Sequence, residues 1–330
     1  MLSLIITACD RKQAGTPLFR EMEHTGIDFT NTLKETSDFN VFKYRNFYNG
    51  GGVATGDLDN DGLPEVFFTA NQGANKLFRN LGDFHFEDIS KKAGFDDKPE
   101  WSTGVVFVDI NADGWLDIYV CNAGQMLDRS LRKNQLFINN HDLTFTERAS
   151  EYGLDNDGYT THASFFDYDL DGDLDCFLVN NSPIPVNTLN YANMRAIPDS
   201  ASDFPDMLKG GGDHLYRNDN GRYHEVNREA GIYGSIISFG LGVTVGDVNN
   251  DGYPDIYVSN DFFEKDYLYI NQRNGTFRDE LEERMQHISF SSMGADMADI
   301  KMSYSQNRVK KLSVVLPHTA ACFFPLKEYP

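Results

Sequence analysis

Asp57-Leu58-Asp59-Asn60-Asp61-Gly62-Leu63-Pro64-Glu65 reads D-x-D-x-D-G-x-x-E. Three carboxylates at alternating positions, Asp57, Asp59 and Asp61, can converge on one cation. Gly62 lets the backbone turn sharply, so the main-chain carbonyl of Leu63 and the carboxylate of Glu65 can close the shell. Hard oxygen ligands in that number suit calcium, at distances of about 2.3–2.6 Å.

The pattern recurs three times. The second copy offers Asp109, Asn111, Asp113, the carbonyl of Trp115, and Asp117. The third offers Asp167, Asp169, Asp171, Asp173 and Asp175. The fourth offers Asp247, Asn249, Asp251, the carbonyl of Tyr253, and Asp255. An EF-hand needs a Glu at loop position twelve and helices on both sides. Position twelve here is Phe68, Val120, Leu178 or Val258, and the flanks are β-branched and aromatic. Each loop is therefore expected between two strands, as a calcium-closed hairpin. The alternative is an acidic turn that stays solvated, and four matched copies weigh against it.

The chain has 330 residues and a formal charge of -21. That length provides a sizeable core. Much of the excess acid lies in the four loops, and a chain this acidic is a poor partner for nucleic acid. The four cysteines, Cys9, Cys121, Cys176 and Cys322, form no CxxC pair, which argues against zinc. Cys176 is expected to pack as a small apolar group inside a strand.

Residues 1–9 are an apolar run with small residues before Cys9, too short to span a membrane. They resemble the end of a bacterial lipoprotein signal peptide, with Cys9 as the lipidated residue, although no Lys or Arg precedes the run. The alternative is an unremarkable buried or frayed terminus. The lipoprotein reading places the protein outside the cell, held to the membrane only through that anchor. Millimolar extracellular calcium fits such an address.

Loop starts fall at 57, 109, 167, 247 and a fifth candidate at 299, with spacings of 52, 58, 80 and 52. That period predicts a repeat architecture with one sheet per repeat. Each repeat reads as four strands. A Gly-rich apolar strand precedes the loop, and five residues before the first loop Asp stands Gly52, Gly104, His162, Gly242 or Gly294. Glycine there suits a crowded central axis. His162 could instead line a pore and bind a ligand, or serve as an ordinary structural imidazole.

The third strand carries the signature Asn75-Lys76-Leu77-Phe78-Arg79-Asn80, repeated at 134–139, 213–218 and 266–271. Adjacent Leu and aromatic residues point to opposite faces, as a blade packed on both sides requires. The closing Asn starts a turn. The fourth strand begins aromatic-x-acid, at Phe86, Phe145, Tyr223 and Phe277, and leads to Gly94, Gly153 or Gly231. An orphan copy, Phe19-Arg20-Glu21 followed by Gly26, stands near the N-terminus without its first three strands. The prediction is an all-β fold, a β-propeller of four-stranded blades that is partial here: about four repeats plus an orphan strand available to close a ring.

The fifth loop breaks off after Asp299, and the tail 301–330 matches no repeat feature. It holds five basic residues and one acid, against 24 basic and 49 acidic in the first 300 residues. Such a break reads as a frameshift or truncated product, with a genuine extension as the alternative. The organisation is thus a signal remnant over 1–9, propeller repeats over 10–300, and a non-repeat tail.

The D-x-D/N-x-D-G-x-x-D/E hairpin, preceded by Gly51-Gly52-Val53-Ala54 or Phe239-Gly240, resembles the FG-GAP/VCBS-type repeat of the seven-bladed integrin α-chain propeller. The Asn-x-Leu-Phe-x-Asn strand and the Phe-x-Asp…Ala-Gly ending are closer to the cartilage acidic protein group and its bacterial surface relatives. The likeness covers residues 18–300, and relatives continue through further blades. It implies about four calcium sites and a cell-surface module that binds protein or glycan. The candidate binding surface is the insertion from Asn181 to Gly212, with Tyr191 and Arg195, which accounts for the 80-residue spacing. Two other readings are a polysaccharide-active enzyme on a propeller scaffold and a purely structural repeat. The enzyme reading is disfavoured because the acidic pairs are already used as calcium ligands and no G-x-S-x-G, H-E-x-x-H or P-loop appears.

Overall fold

A computed structural model describes residues 19–95, 100–124, 128–183, 209–262, 264–289, 291–299, 312–316 and 322–325. Each repeat forms an antiparallel four-stranded meander. The first comprises β1 (Val53–Gly56), β2 (Glu65–Phe68), β3 (Lys76–Asn80) and β4 (Phe86–Asp88). The second comprises β5 (Ser102–Val108), β6 (Asp117–Asn122), β7 (Gln135–Asn139) and β8 (Phe145–Glu147). The third comprises β9 (Thr160–Phe166), β10 (Asp175–Asn180), β11 (His214–Asn218) and β12 (Tyr223–Glu225). The fourth comprises β13 (Gly240–Gly246), β14 (Asp255–Asn260), β15 (Tyr267–Asn271) and β16 (Phe277–Asp279). A three-stranded sheet follows, with β17 (Asp296–Asp299), β18 (Leu312–Leu316) and β19 (Cys322–Pro325). The tail thus supplies two strands to a fifth sheet, a role its sequence did not suggest.

Successive sheets stack face to face as propeller blades, because every strand alternates between two apolar faces. Leu77 packs toward the second blade with Phe67, Ile118 and Phe137. Leu136 and Tyr119 of the second blade meet Cys176, Leu178 and Tyr216 of the third. Phe177 and Leu215 of the third meet Ile256, Tyr267 and Tyr269 of the fourth. Tyr257 and Leu268 of the fourth meet Ala295 and Met297. The Leu-aromatic pairs of the second, third and fourth blades therefore each serve two interfaces. Burying one such side chain contributes about 1.5–3 kcal/mol. Cys121 and Cys176 are free, buried members of one of these interfaces.

The first strands β1, β5, β9, β13 and β17 are consecutive neighbours, and the axial glycines explain their approach. A Cβ on Gly104 would lie 2.6 Å from the Thr161 carbonyl oxygen and 2.8 Å from Nδ1 of His162. A Cβ on Gly242 would lie 3.3 Å from the Cα of Gly294. Hydroxyls stitch the same strands: Thr161 donates to the Gly240 carbonyl at 2.9 Å, and Thr244 to the Ala295 carbonyl at 2.8 Å.

The described blades form an arc, and the first and fifth sheets are not paired with each other. Val53 is 58% exposed, whereas Val105, in the same register of the second blade, is 5% exposed. The orphan Phe19-Arg20-Glu21 forms no strand, and Phe19 is 87% exposed. It pairs with none of the described sheets, the three-stranded fifth included, so the expected closure is not made among the described residues. The segment behind it runs instead over the free face of the first blade. The Thr25 carbonyl accepts from the Phe86 N–H at 2.7 Å, and Phe29 stacks on Phe68 at 4.8 Å.

The chain then crosses toward the other blades. Phe39, Tyr44 and Phe47 pack on Trp101, and Tyr44 stacks on Tyr159 at 6.4 Å. Arg45 donates to Oδ1 of Asn181 and the carbonyl of Ser182, both at 2.8 Å. Its guanidinium lies 4.8 Å from the ring centre of Phe239 and 4.2 Å from that of Phe262, a doubled cation–π contact. Burial brings its pKa down to about 10.

Two predictions follow from the axis and from the head of the third strand. Gly104→Ala is expected to lower unfolding free energy by about 1–3 kcal/mol in a denaturant titration, because the blocking atoms include the Thr161 carbonyl and the His162 Cα, which are backbone. The residue heading each third strand accepts a backbone N–H from the end of the second strand: Asn75 from Ala70, Asn134 from Asn122, Asp213 from Asn180, and Asp266 from Asn260. Burial pushes the Asp213 carboxyl up to about 7. The folded chain then holds a proton that the unfolded chain releases near pH 4, so stability falls as pH rises between those values. Asp213→Asn should remove that fall and raise stability at pH 8 by about 2 kcal/mol.

Candidate metal centres

All four acidic loops share one hydrogen-bonded frame. The first Asp uses both oxygens on the backbone N–H groups of positions five and six. Asp57 accepts from Asp61 at 3.1 Å and Gly62 at 2.8 Å. Asp109, Asp167 and Asp247 repeat the pattern with Asp113 and Gly114, Asp171 and Gly172, and Asp251 and Gly252. The fifth-position Asp then accepts from the N–H of position seven, at Leu63, Trp115, Asp173 or Tyr253. These are successive Asx turns, which is why Asp rather than Glu fills the early positions.

The turn needs left-handed backbone at positions four and six. Glycine meets this at position six. Position four holds Asn60 (φ 57°), Ala112 (φ 55°), Leu170 (φ 62°) and Asn250 (φ 58°). Asn tolerates that region, whereas Leu170 and Ala112 are strained there.

The ninth-position acid is fully buried in every loop. One oxygen accepts from the N–H of position two and the other from the last residue of the third strand. Glu65 accepts from Leu58 at 2.8 Å and Asn80 at 3.2 Å. Asp117 does so from Ile110 and Asn139, Asp175 from Tyr168 and Asn218, and Asp255 from Val248 and Asn271. Burial pushes Glu65 and Asp175 up to about 7, and Asp117 and Asp255 up to about 6. The terminal Asn of the third strand completes the frame. Asn139 Nδ2 donates to the Leu116 carbonyl at 3.0 Å and to the Leu58 carbonyl of the preceding loop at 2.8 Å. Asn271 ties the fourth loop to the Tyr168 carbonyl of the third at 2.8 Å. Its turn is also made as expected: Asn80, Asn139, Asn218 and Asn271 each accept a backbone N–H two or three residues on.

The third position distinguishes the loops. Asn111 and Asn249 each donate to the neighbouring Asp and accept its N–H, which absorbs the amide within the turn. Asp59 and Asp169 have no such donor. Oδ1 of Asp59, Asp169 and Asp173 is buried without a hydrogen-bond partner. One oxygen each of Asp57, Asp59 and Asp61 lies within 4.8 Å of the others, and the same holds for Asp167, Asp169 and Asp175. An orphaned oxygen of Asp59 or Asp169 beside two further carboxylates at that spacing is what a hard cation would satisfy, so the residues fit calcium. The sequence did not reveal the basic side chains that approach these loops. Arg79 pairs with Asp59 and Asp61, His141 with Asp113, and Arg273 with Asp251. The closing Asn marks the turn that carries the last two but not where it points.

The remaining predicted residues lie elsewhere. His162 lines a cavity of about 280 Å3 with Asn46, Asn49, Gly104, Leu241 and Met293. Burial lowers its pKa below the usual imidazole value. This cavity sits where the first strands begin, at the end of the blades opposite the acidic loops. The insertion between β10 and β11 leaves the blade at that end too, but Tyr191 and Arg195 lie outside the described residues, as does Cys9. Among the described residues, no helix is long and apolar enough to cross a membrane.

A family model for the FG-GAP-like repeat matches residues 57–120, 206–258 and 247–301. Cartilage acidic protein 1 of Xenopus tropicalis is 33% identical over 103 residues, which are 31% of this chain and 16% of that protein. The Homo sapiens protein of that name is 38% identical over 76 residues, 23% of this chain and 12% of its own. The matched segment therefore spans less than a fifth of either relative. Two solved structures are loosely similar. One is an Agrocybe aegerita lectin that recognises non-reducing terminal N-acetylglucosamine, with TM-score 0.38, 12% identity and coverage of 83% of this chain and 64% of that one. The other is a biofilm matrix protein of V. cholerae, with TM-score 0.34, 11% identity and coverage of 81% and 35%.

The strained position four gives a direct test of the loop frame. Leu170 is 50% exposed, so its side chain contributes little packing. Leu170→Asn should raise unfolding free energy by about 1 kcal/mol, measured by chemical denaturation in chelator, because Asn accepts left-handed backbone at lower cost.

Proposed function

Because the chain carries FG-GAP-like repeats, we propose that it is a calcium-binding surface repeat protein that presents a protein- or glycan-binding face at the end of the blades opposite its acidic loops. The observation that carries the metal reading is the set of buried, unpartnered oxygens on Asp59, Asp169 and Asp173 inside turns already held by backbone bonds. Bound calcium supplies two positive charges that neutralise carboxylates otherwise repelling one another. The protein's own groups supply the geometry. Asp57, Asp109, Asp167 and Asp247 hold the turn, and the third- and fifth-position side chains with the seventh-position carbonyl face the cation. Glu65, Asp117, Asp175 and Asp255 anchor the loop to the third strand.

The likeness to cartilage acidic protein 1 and the suitability of such loops for calcium outside the cell support an extracellular address. With Cys9 as the lipid attachment, the blades would be held at a membrane surface. The proposed ligand face combines the cavity containing His162 with the 181–212 connection, whose described ends leave β10 and enter β11 at the end of the blade away from the acidic loops. Tyr191 and Arg195 remain candidates on that connection. Loops carried on rigid strands are a common place for binding residues.

Calcium at about one hundred times Kd should stabilise the fold by about 2.7 kcal/mol per site. The expected result is a higher melting temperature in millimolar calcium than in excess chelator. Asp113→Ala should lower the bound calcium by one ion per chain in equilibrium dialysis. A melt indifferent to chelator, or unchanged stoichiometry in the variant, would overturn the metal reading.

A further inference from the structure

The four loops differ in charge, and the difference is set partly by residues outside them. In the first, Nη2 of Arg79 lies 2.7 Å from Oδ2 of Asp59 and 3.3 Å from that of Asp61. In the second, His141 stacks on Trp115 at 4.7 Å and brings Nε2 to 3.1 Å from Oδ2 of Asp113. In the fourth, Nε of Arg273 lies 2.9 Å from Oδ2 of Asp251. The second and fourth loops also carry Asn at position three. The third loop has carboxylates at all five alternating positions, Asp167, Asp169, Asp171, Asp173 and Asp175. Among the described residues no ion pair reaches any of them, and two of their oxygens are the buried, unpartnered Oδ1 atoms of Asp169 and Asp173.

A basic residue does stand beside the third loop. Arg217 precedes the terminal Asn218 of its strand as Arg79 precedes Asn80. Arg217 and Asp169 line the same cleft. Yet its fork closes on Asp219, with Nε to Oδ1 at 2.9 Å and Nη2 to Oδ2 at 2.9 Å. The residue in the place of Asp219 in the first repeat is Leu81, which offers Arg79 no anion. Two arginines at one strand position thus take different partners because of the residue two places on.

We propose that the third loop takes up calcium ahead of the other three, and that Asp219 sets this order by drawing Arg217 away from it. This rests on the reading of the loops as calcium sites. A dication entering the first or fourth loop meets a fixed guanidinium, and one entering the second meets an imidazole. In the third it meets the largest carboxylate count and, among the described residues, no ion-paired cation, Arg217 standing in the same cleft but paired with Asp219, and ligand charge count is a principal determinant of calcium affinity. A bidentate guanidinium–carboxylate pair holds its geometry better than a single contact, so Asp219 can decide where Arg217 rests.

The test is a calcium titration of the whole chain by calorimetry, with stoichiometry checked by dialysis. The wild-type chain should show one tight event followed by weaker ones. Asp171→Asn should weaken the tight event, while Asp251→Asn should leave it, which assigns it to the third loop. Asp219→Leu frees Arg217 to turn onto the loop and should weaken the tight event about tenfold, an effect that shrinks in high salt. Leu81→Asp gives Arg79 the alternative partner and should tighten one of the weaker events by a similar factor. Absence of calcium binding in the folded wild-type chain would overturn the calcium reading itself. Equal affinity at every loop, or a tight event spared by Asp171→Asn, would overturn the order while leaving the calcium sites intact. A tight event unchanged in folded Asp219→Leu, with no tightening in Leu81→Asp, would overturn the role of Asp219.

Discussion

A carboxylate sealed from water, with a backbone N–H on each oxygen, sits at the root of every acidic loop. Glu65, Asp117, Asp175 and Asp255 join the second residue of the loop to the last residue of the third strand. Burying an unpaired carboxylate would be costly, and each of these is satisfied by backbone donors that would otherwise be orphaned. The blade depends on this contact, because it fixes where the loop leaves the first strand and where the third strand ends. It also holds the other acids of the loop at the spacing a cation requires. Some carboxylates that fold the hairpin also belong to the acidic clusters, Asp57 in the first loop and Asp167 and Asp175 in the third.

The packing between blades follows from the same repetition. Each third strand sends its Leu one way and its aromatic the other, so every interior blade is apolar on both faces. Near the axis there is no room for side chains on the closest strands, and glycine fills that slot in four of the five repeats. His162 is the exception, and it lines the one axial cavity described here. The acidic loops and this cavity occupy opposite ends of the blades. The two ends are accordingly built from separate residues.

The N-terminal segment does something no repeat does. Phe29 covers part of the first blade's free face, the ring cluster of Phe39, Tyr44 and Phe47 packs on Trp101, and Arg45 reaches the third and fourth blades. One stretch thus touches an open arc at both ends of its described four-blade span. It compensates in part for the missing neighbour that leaves Val53 exposed.

The repeat itself was legible in the residues. Four loops of one pattern, strand-like flanks, the Leu-aromatic strand with its closing Asn, and the axial glycines were enough to predict four-stranded blades, because each is a local rule of turn chemistry or strand alternation. The hydrogen-bonded frame of the acidic loops follows from the same local rules. What the residues alone did not reveal was everything that depends on distance in space. The orphan Phe19-Arg20-Glu21 reads as a strand but pairs with no described sheet. Arg45 carries no motif, yet it rests against two touching aromatic rings, Phe239 and Phe262, far along the chain. Arg79 and Arg217 share one place in one signature, and only the fold shows that one rests on its loop and the other on Asp219. The sequence by itself determined the blade, because hydrogen bonds within a turn and alternation along a strand are local. The tertiary structure alone decided how blades meet, what covers the first of them, and which loop is left without a cation, because those outcomes depend on side chains brought together from distant parts of the chain.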